Sequence, residues 1–177
     1  MVSESSVSLT PNGSNAVRDS TLSRAIIIRP YHATDWPRLC EIHDAARLDE
    51  LRLTVGEAAF LSLDQAAESE GLFDGRVAVA VLDERVCGFV AFTDSELNWL
   101  YVDPDSYRRG IGRALLHHAI ENAGLTLTLE VLEGNGPALQ LYGSEGFQVL
   151  RRVDGALYGN EEFRAAGFVL EYRKHKL

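Results

Sequence analysis

Three arginines and two glycines fall together at Arg108-Arg109-Gly110-Ile111-Gly112-Arg113, directly ahead of a helical pattern. These residue types in this order suit an anion. Glycine lets the backbone approach a ligand closely and reach unusual φ and ψ. The N–H groups of a first helical turn lack intrahelical partners, and the helix dipole favours negative charge there. Arg108, Arg109 and Arg113 add positive charge, so a pyrophosphate is a natural guest. The same segment could also be a tight strand–helix connection with solvated arginines. Two familiar phosphate motifs are excluded. No G-x-x-x-x-G-K-S/T run exists, and a dinucleotide fingerprint would need a third glycine where Leu115 stands and a first strand directly ahead.

The elements that must position this turn can be read from periodicity. Ile26-Ile27-Ile28, closed by Arg29-Pro30, reads as a first strand. Asp35-Trp36-Pro37 starts a helix, with Leu39, Ile42, His43 and Ala46 at helical spacing; a second helical stretch lies within Val55–Ser69. Val77, Val79 and Val81 form one face of a strand. Asp83-Glu84 is a tight turn, and Val86–Phe92 is its hairpin partner. A strand over Glu96–Val102 stops at Asp103-Pro104. The helix after the glycine turn runs to about Asn122, with Gly124 as its C-cap.

Next comes a strictly alternating strand. Leu125, Leu127, Leu129 and Val131 share one face; Thr126, Thr128 and Glu130 share the other. Gly136-Pro137 opens a further helix bearing Ala138, Leu141 and Tyr142, and Gly146 ends it. Phe147–Val153 and Phe168–Arg173 are expected as the last strands, joined by a loop carrying Tyr158 and Phe163. The order predicts an α/β protein of the α+β kind, a mixed sheet flanked by helices rather than a simple βα alternation.

The 177 residues suffice for one domain with a proper core. Residues 1–23 are rich in Ser, Asn, Thr and Gly and are expected to be a disordered tail, leaving residues 24–177 as the domain. The formal charge of −9 argues against non-specific binding to nucleic acid or to an anionic membrane. Cys40 and Cys87 stand alone, with no zinc spacing among the cysteines and histidines, so no metal site is expected. Two isolated cysteines suit a reducing, cytoplasmic setting. No apolar run approaches the roughly 18–20 residues that span a membrane.

Leu100-Tyr101-Val102-Asp103-Pro104 followed by Tyr107-Arg108-Arg109-Gly110-Ile111-Gly112-Arg113-Ala114-Leu115-Leu116 resembles the acetyl-CoA-binding motif of the GCN5-related N-acetyltransferase (GNAT) superfamily. A second block is similar to that superfamily's downstream motif: Leu129-Glu130-Val131, then Asn135, Ala138, Leu141-Tyr142 and Gly146-Phe147. The resemblance extends over the element order of residues 26–177. It departs at Tyr107, where the family usually has Gln or Arg. It implies a single domain with a mostly antiparallel sheet of about seven strands, splayed near its middle, and about four helices. It also implies acetyl transfer from acetyl-CoA to a primary amine, a small molecule or a protein N-terminus, by direct attack in a ternary complex. A non-catalytic acetyl-CoA-binding regulatory module is the alternative.

On this resemblance the main chain of Leu100, Tyr101 and Val102 would pair with pantetheine. The turn from Arg108 to Ala114 would hold the pyrophosphate, and Asn135, Ala138, Leu141 and Tyr142 would wall the cofactor. Tyr142 is the expected general acid for the leaving thiolate. Glu130, facing a partly closed cleft, is the expected base, its pKa raised by desolvation. The pair resembles the ribosomal-protein alanine acetyltransferase branch. Glu96, sharing parity with Leu100 and Val102, is the rival base, acting through water. The acceptor would be chosen by the regions Ala33–Ser69 and Asp154–Ala166. There the acidic residues Glu41, Asp44, Asp49 and Glu50 could attract a cationic amine or simply form a solvated helix face. Tyr158 and Phe163 could wall an acceptor pocket or a homodimer contact.

Overall fold

The computed structural model describes residues 25–174; the expected tail, residues 1–23, lies outside them. The elements are β1 (Ile27–Pro30), α1 (Trp36–Leu53), α2 (Leu63–Ser69), β2 (Arg76–Leu82), β3 (Arg85–Phe92), β4 (Leu97–Val102), α3 (Ile111–Asn122), β5 (Thr126–Leu132), α4 (Gly136–Ser144), β6 (Gln148–Leu157) and β7 (Asn160–Arg173). This is the mixed α/β architecture that the pattern predicts. No helix among the described residues is long and apolar enough to cross a membrane.

The strands form two antiparallel sheets, ordered β1-β2-β3-β4 and β5-β7-β6. They meet at one point. Glu96 bridges Thr128 in parallel, and the Thr128 amide and hydroxyl donate to the Ser95 carbonyl at 2.8 and 3.1 Å. Beyond this pin, β4 and β5 share no backbone hydrogen bond among the described residues. The cause is visible in the register. Ala91 pairs with Trp99 but Phe92 pairs with Leu97, so Asn98 is an extra residue. Such a bulge bends a strand and increases its twist, and β4 turns away from β5.

Strand alternation sorts the core into two layers. Ala78, Ala80 and Val90 face α3, packing with Leu115, Leu116 and Ala119 and reaching Leu127 and Leu170 of the second sheet. Val79, Phe89 and Trp99 face the other way, against Leu39 and Ile42 of α1 and Leu63 of α2. A sheet covered on both faces has no solvated side, which explains the near-continuous apolar runs of β2 and β3. The β2–β3 turn has positive φ at both Asp83 and Glu84, the backbone twist that a two-residue hairpin connection demands.

One expectation needs correction. The segment expected as a loop around Tyr158 and Phe163 is the far half of a long hairpin, with β6 and β7 turning at Tyr158-Gly159. Most of β6 is solvent-exposed, so backbone pairing to β7 defines the strand and no alternation marks it in the chain. Phe163 packs with Leu51, Ala59 and Leu157, whereas Tyr158 is 72% exposed. α1 runs unbroken through the stretch where helical spacing fades, to Leu53.

His43 of α1 is buried, with ring centroids 4.8 Å from Tyr101 and 5.7 Å from Trp99, and its Nδ1 lies 2.9 Å from Asp44 Oδ1. Burial pushes its pKa below the ordinary histidine value, against the opposing pull of Asp44. The unfolded chain therefore binds this proton more readily than the native protein does. Stability is fully present above the unfolded value of about 6.5 and falls as pH drops from there toward the folded value. Chemical denaturation at pH 7.5, 6.5 and 5.5 should show a progressive loss that is smaller in His43→Gln. His118, also lowered and half-buried, is the control: His118→Asn should retain most of the slope.

Candidate active site

Where β4 and β5 part, a cleft of about 690 Å³ opens between them, bounded by the end of α1, the start of α3 and one side of α4. Its closure depends on a close approach. Gly134, between β5 and α4, has φ +101°, and a Cβ there would stand 2.5 Å from the Leu53 carbonyl oxygen. Only glycine lets this loop press on the end of α1.

One end of the cleft is the glycine turn. Gly110 takes a left-handed conformation as the N-cap of α3, and no side chain caps that helix. The first-turn N–H groups of α3 are thus left for a ligand, and the dipole end faces the cleft. Arg108 and Arg113 line this end with Ile111 and Gly112. Arg113 Nε is 2.5 Å from Glu145 Oε1, and His117 Nε2 is 2.5 Å from Glu145 Oε2. The two partners hold the Glu145 carboxyl below its usual range. Arg109 and Ala114, expected in the phosphate site, do not line the cleft. Arg109 turns to Asp83 at 3.4 Å, and the Ala114 amide is used by the Gly110 carbonyl at 3.0 Å.

The turn is tied to α1 from below. Buried Asp103 accepts from the Asp105 amide and from Arg38, whose Nε also donates to the Val86 carbonyl. Tyr107 lines the cleft at the position where the sequence departs from the motif. Burial, then the neighbouring carboxylate of Asp49, pushes its hydroxyl up to about 12.

Along the middle, Leu100, Tyr101 and Val102 present the open edge of β4. Their peptide groups on that side have no partner strand, so they can pair with an extended ligand chain. The facing wall carries Glu130 and Val131 of β5, then Asn135, Ala138, Leu141 and Tyr142 of the α4 region. Asn135 caps α4 by accepting from the Ala138 amide at 3.2 Å. Tyr142 is only 7% exposed and packs on Phe147. Its hydroxyl has no hydrogen-bond partner among the described residues, yet it is not sealed in, and it belongs to the cleft wall. Burial, then the charge of Glu50, raises its pKa, so the phenol stays protonated at any ordinary assay pH.

The carboxylates expected from the chain fall apart in space. Glu130 lines the cleft but is exposed, without the desolvation expected of it, and has no ion pair among the described residues. Glu96 is exposed beside the pin to Thr128 and does not line the cleft, because it precedes the bulge at Asn98 that aims the rest of β4 inward. Of the acidic group on α1, Glu41 pairs with Arg38 at 2.7 Å, and Asp44 accepts the Leu63 amide at 2.8 Å. Asp49 and Glu50 reach the cleft. Glu50 is tied to the site by three donors: Arg47 at 2.5 Å, Asn135 at 3.2 Å and the Tyr101 hydroxyl at 3.3 Å. Nothing in the chain sets Glu50 apart from its acidic neighbours; its place depends on the approach of α4 to α1.

Residues 73–149 match the family model described as the acetyltransferase (GNAT) domain. Over that segment the chain is similar to GNAT acetyltransferases. It is 27% identical over 158 residues to the uncharacterized N-acetyltransferase YafP of Escherichia coli, covering 85% of this chain and 96% of that one. It is 44% identical over 73 residues to the [ribosomal protein bS18]-alanine N-acetyltransferase of Salmonella typhimurium, which is 37% of this chain and 49% of that relative. In fold it is similar to yncA of Salmonella typhimurium, whose structure was solved with its cofactor acetyl-CoA. That likeness has a TM-score of 0.64 at 19% identity over 86% of this chain and 96% of the other.

The two glycines of the turn differ in a testable way. Gly110 has φ +84°, so any side chain there strains the backbone. Gly112 has no such constraint, and a Cβ would sit 3.4 Å from Leu141, 3.6 Å from Val102 and 3.8 Å from Leu100. It fits the protein but begins to fill the cleft. Gly112→Val should leave the melting temperature within a few degrees of native while weakening acetyl-CoA by at least tenfold, about 1.4 kcal/mol, measured by isothermal titration. Gly110→Val should lose both stability and affinity.

Proposed function

We propose that this protein transfers an acetyl group from acetyl-CoA to a primary amine, by direct attack while both are bound. The observation that carries the reading is the continuity of the cleft. It runs from the uncapped start of α3, along the open edge of β4, to the free hydroxyl of Tyr142. The cofactor found in the structure of yncA supports the same choice of ligand. Acetyl-CoA supplies an activated thioester. The turn around Gly110 and Gly112, with Arg108 and Arg113, would take its pyrophosphate. Leu100, Tyr101 and Val102 would pair with its pantetheine through main chain, and Asn135, Ala138 and Leu141 would wall it from α4. The space beside Gly112 is a cradle that a larger side chain would fill, and this fits a ligand lying close against backbone.

The reaction forms a C–N bond and breaks the C–S bond. Main-chain N–H groups of β4 would stabilise charge developing on the carbonyl oxygen. Sulfur leaves with its electron pair, and Tyr142 donates a hydrogen bond, then a proton, to it. With its pKa raised, Tyr142 is a weaker acid than a thiol of about 8.5, so the transfer is uphill and the gain is modest. The proton lost by the amine goes to Glu130 and on to solvent. Glu96, lying outside the cleft wall, could act only through intervening water. The bS18-alanine relative supports a peptide N-terminus as acceptor; a lysine side chain and a polyamine are the other amines to try.

Isothermal titration with acetyl-CoA and CoA-release assays over an alanine-initiated peptide, a lysine peptide and spermidine test the reading. Turnover with any of the three is the expected result. Binding without CoA release from any amine would assign the protein as an acetyl-CoA-binding regulatory module. Tyr142→Phe should keep acetyl-CoA affinity within about twofold and lower kcat by about 100-fold, the low end for acid catalysis. Because the phenol is already protonated throughout, this variant should not shift either limb of the pH profile. Glu130→Gln should lower kcat/KM; an unchanged rate would move the base to Glu96 or to water.

A further inference from the structure

Glu50 stands in the last turns of α1, with its carboxylate in the cleft wall. A carboxylate has about four acceptor positions. Oε2 takes hydrogen bonds from Arg47 and from the Tyr101 hydroxyl, and Oε1 takes one from Asn135 Nδ2. One position on Oε1 is left. The three donors come from α1, from β4 and from the cap of α4, so the group is held from three sides and little rotamer freedom remains to be lost on binding. Asp49, its neighbour in the wall, is engaged by Arg52 at 2.9 Å. The cleft is thus polarised, with Arg108, Arg113 and the α3 dipole at one end, and Asp49 and Glu50 on the α1 side.

Resting on the acetyltransferase reading above, we propose that Glu50 is the anchor of the acceptor, its free Oε1 position accepting a hydrogen bond from the incoming ammonium group. The carboxylate holds nitrogen while the amine passes its proton elsewhere. Three donors already occupy most of its acceptor positions, so anchoring a nitrogen at the remaining one suits this residue. The arrangement joins the two substrates mechanically. Asn135 donates to Glu50 with Nδ2 and accepts the Ala138 amide with Oδ1, and Ala138 and Tyr142 share one face of α4. The acceptor anchor and the hydroxyl for the leaving sulfur therefore belong to one rigid chain of contacts. Acceptors bearing a protonated amine should bind the CoA-loaded protein, and neutral isosteres should not.

The test uses the full chain saturated with CoA, which forms a dead-end complex and needs no turnover. Spermidine, a lysine peptide and an alanine-initiated peptide are titrated calorimetrically, with the two acetylated peptides as controls that lack the reacting charge. Native protein should bind at least one amine, with affinity falling as salt rises. Glu50→Gln should weaken that amine at least tenfold and flatten its salt dependence. Glu50→Asp, which keeps the charge on a shorter arm, should recover a clear part of the loss. Acetyl-CoA titrations run beside these separate the two readings. Loss of acetyl-CoA binding in the native protein would sink the acetyltransferase proposal itself. Normal acetyl-CoA binding with no binding of any amine, or with equal amine affinity in native and Glu50→Gln, overturns the role of Glu50. Equal losses for amine and acetyl-CoA in Glu50→Gln, without recovery in Glu50→Asp, would also overturn it, since Glu50 would then only hold the walls together.

Discussion

The parting of β4 from β5 is the constraint on which the site depends. Two strands that remained paired would satisfy each other's peptide groups and leave no room between the sheets. Here the Thr128 amide and hydroxyl hold Ser95 at one end, and the extra residue Asn98 turns β4 away immediately afterwards. Unpaired backbone groups are costly in a dry interior, so the open edge of β4 is tolerated because it lines a cleft. A ligand with its own amide groups can complete it. The same divergence brings the uncapped start of α3 and the wall of α4 to the two sides of one space.

The charge arrangement follows from that geometry. The protein is acidic as a whole, yet Arg108 and Arg113 stand with the dipole end of α3, and the carboxylates of Asp49 and Glu50 enter from α1. Buried contacts hold these groups in place. Arg38 and Asp103 fasten α1 to the turn, and Gly134 lets the loop before α4 meet the end of α1. α1 is therefore more than a cover on the sheet. It joins the glycine-turn end of the cleft to the side that carries Asp49 and Glu50, so a change in its seating would be felt at both.

Much of this was legible in the chain. The alternation in Val77–Val81 and Leu125–Val131, the turn residues Asp83-Glu84, and the proline and glycine at the ends of α4 specify their elements locally, and the structure agrees with each except at Leu125, which precedes β5 and is exposed. Gly110 needed its left-handed φ, whereas a side chain at Gly112 fits the protein but enters the cleft, and both glycines were expected in the turn. The continuation of β6 beyond Val153 was not legible, because an exposed edge strand held by backbone pairing has no hydrophobic period to reveal it.

By itself the sequence determined the kinds of element, their order, and the presence of a glycine- and arginine-rich turn followed later by a tyrosine-bearing helix. These depend on contacts within a few residues, where periodicity and capping act. Which carboxylate faces the cleft was a different matter. Glu130 was the expected base and Glu96 its rival, and Glu50 was one of four acids that could attract a cationic amine or form a solvated helix face. The bulge at Asn98 removed Glu96 from the wall, and the meeting of α1 with β4 and Asn135 brought Glu50 into it. Arg109 was lost to the site in the same way, by the chance of lying beside Asp83. Tertiary structure alone decides such things, because a long side chain takes its partner from whatever element packs against its own, and that neighbour lies far away in sequence.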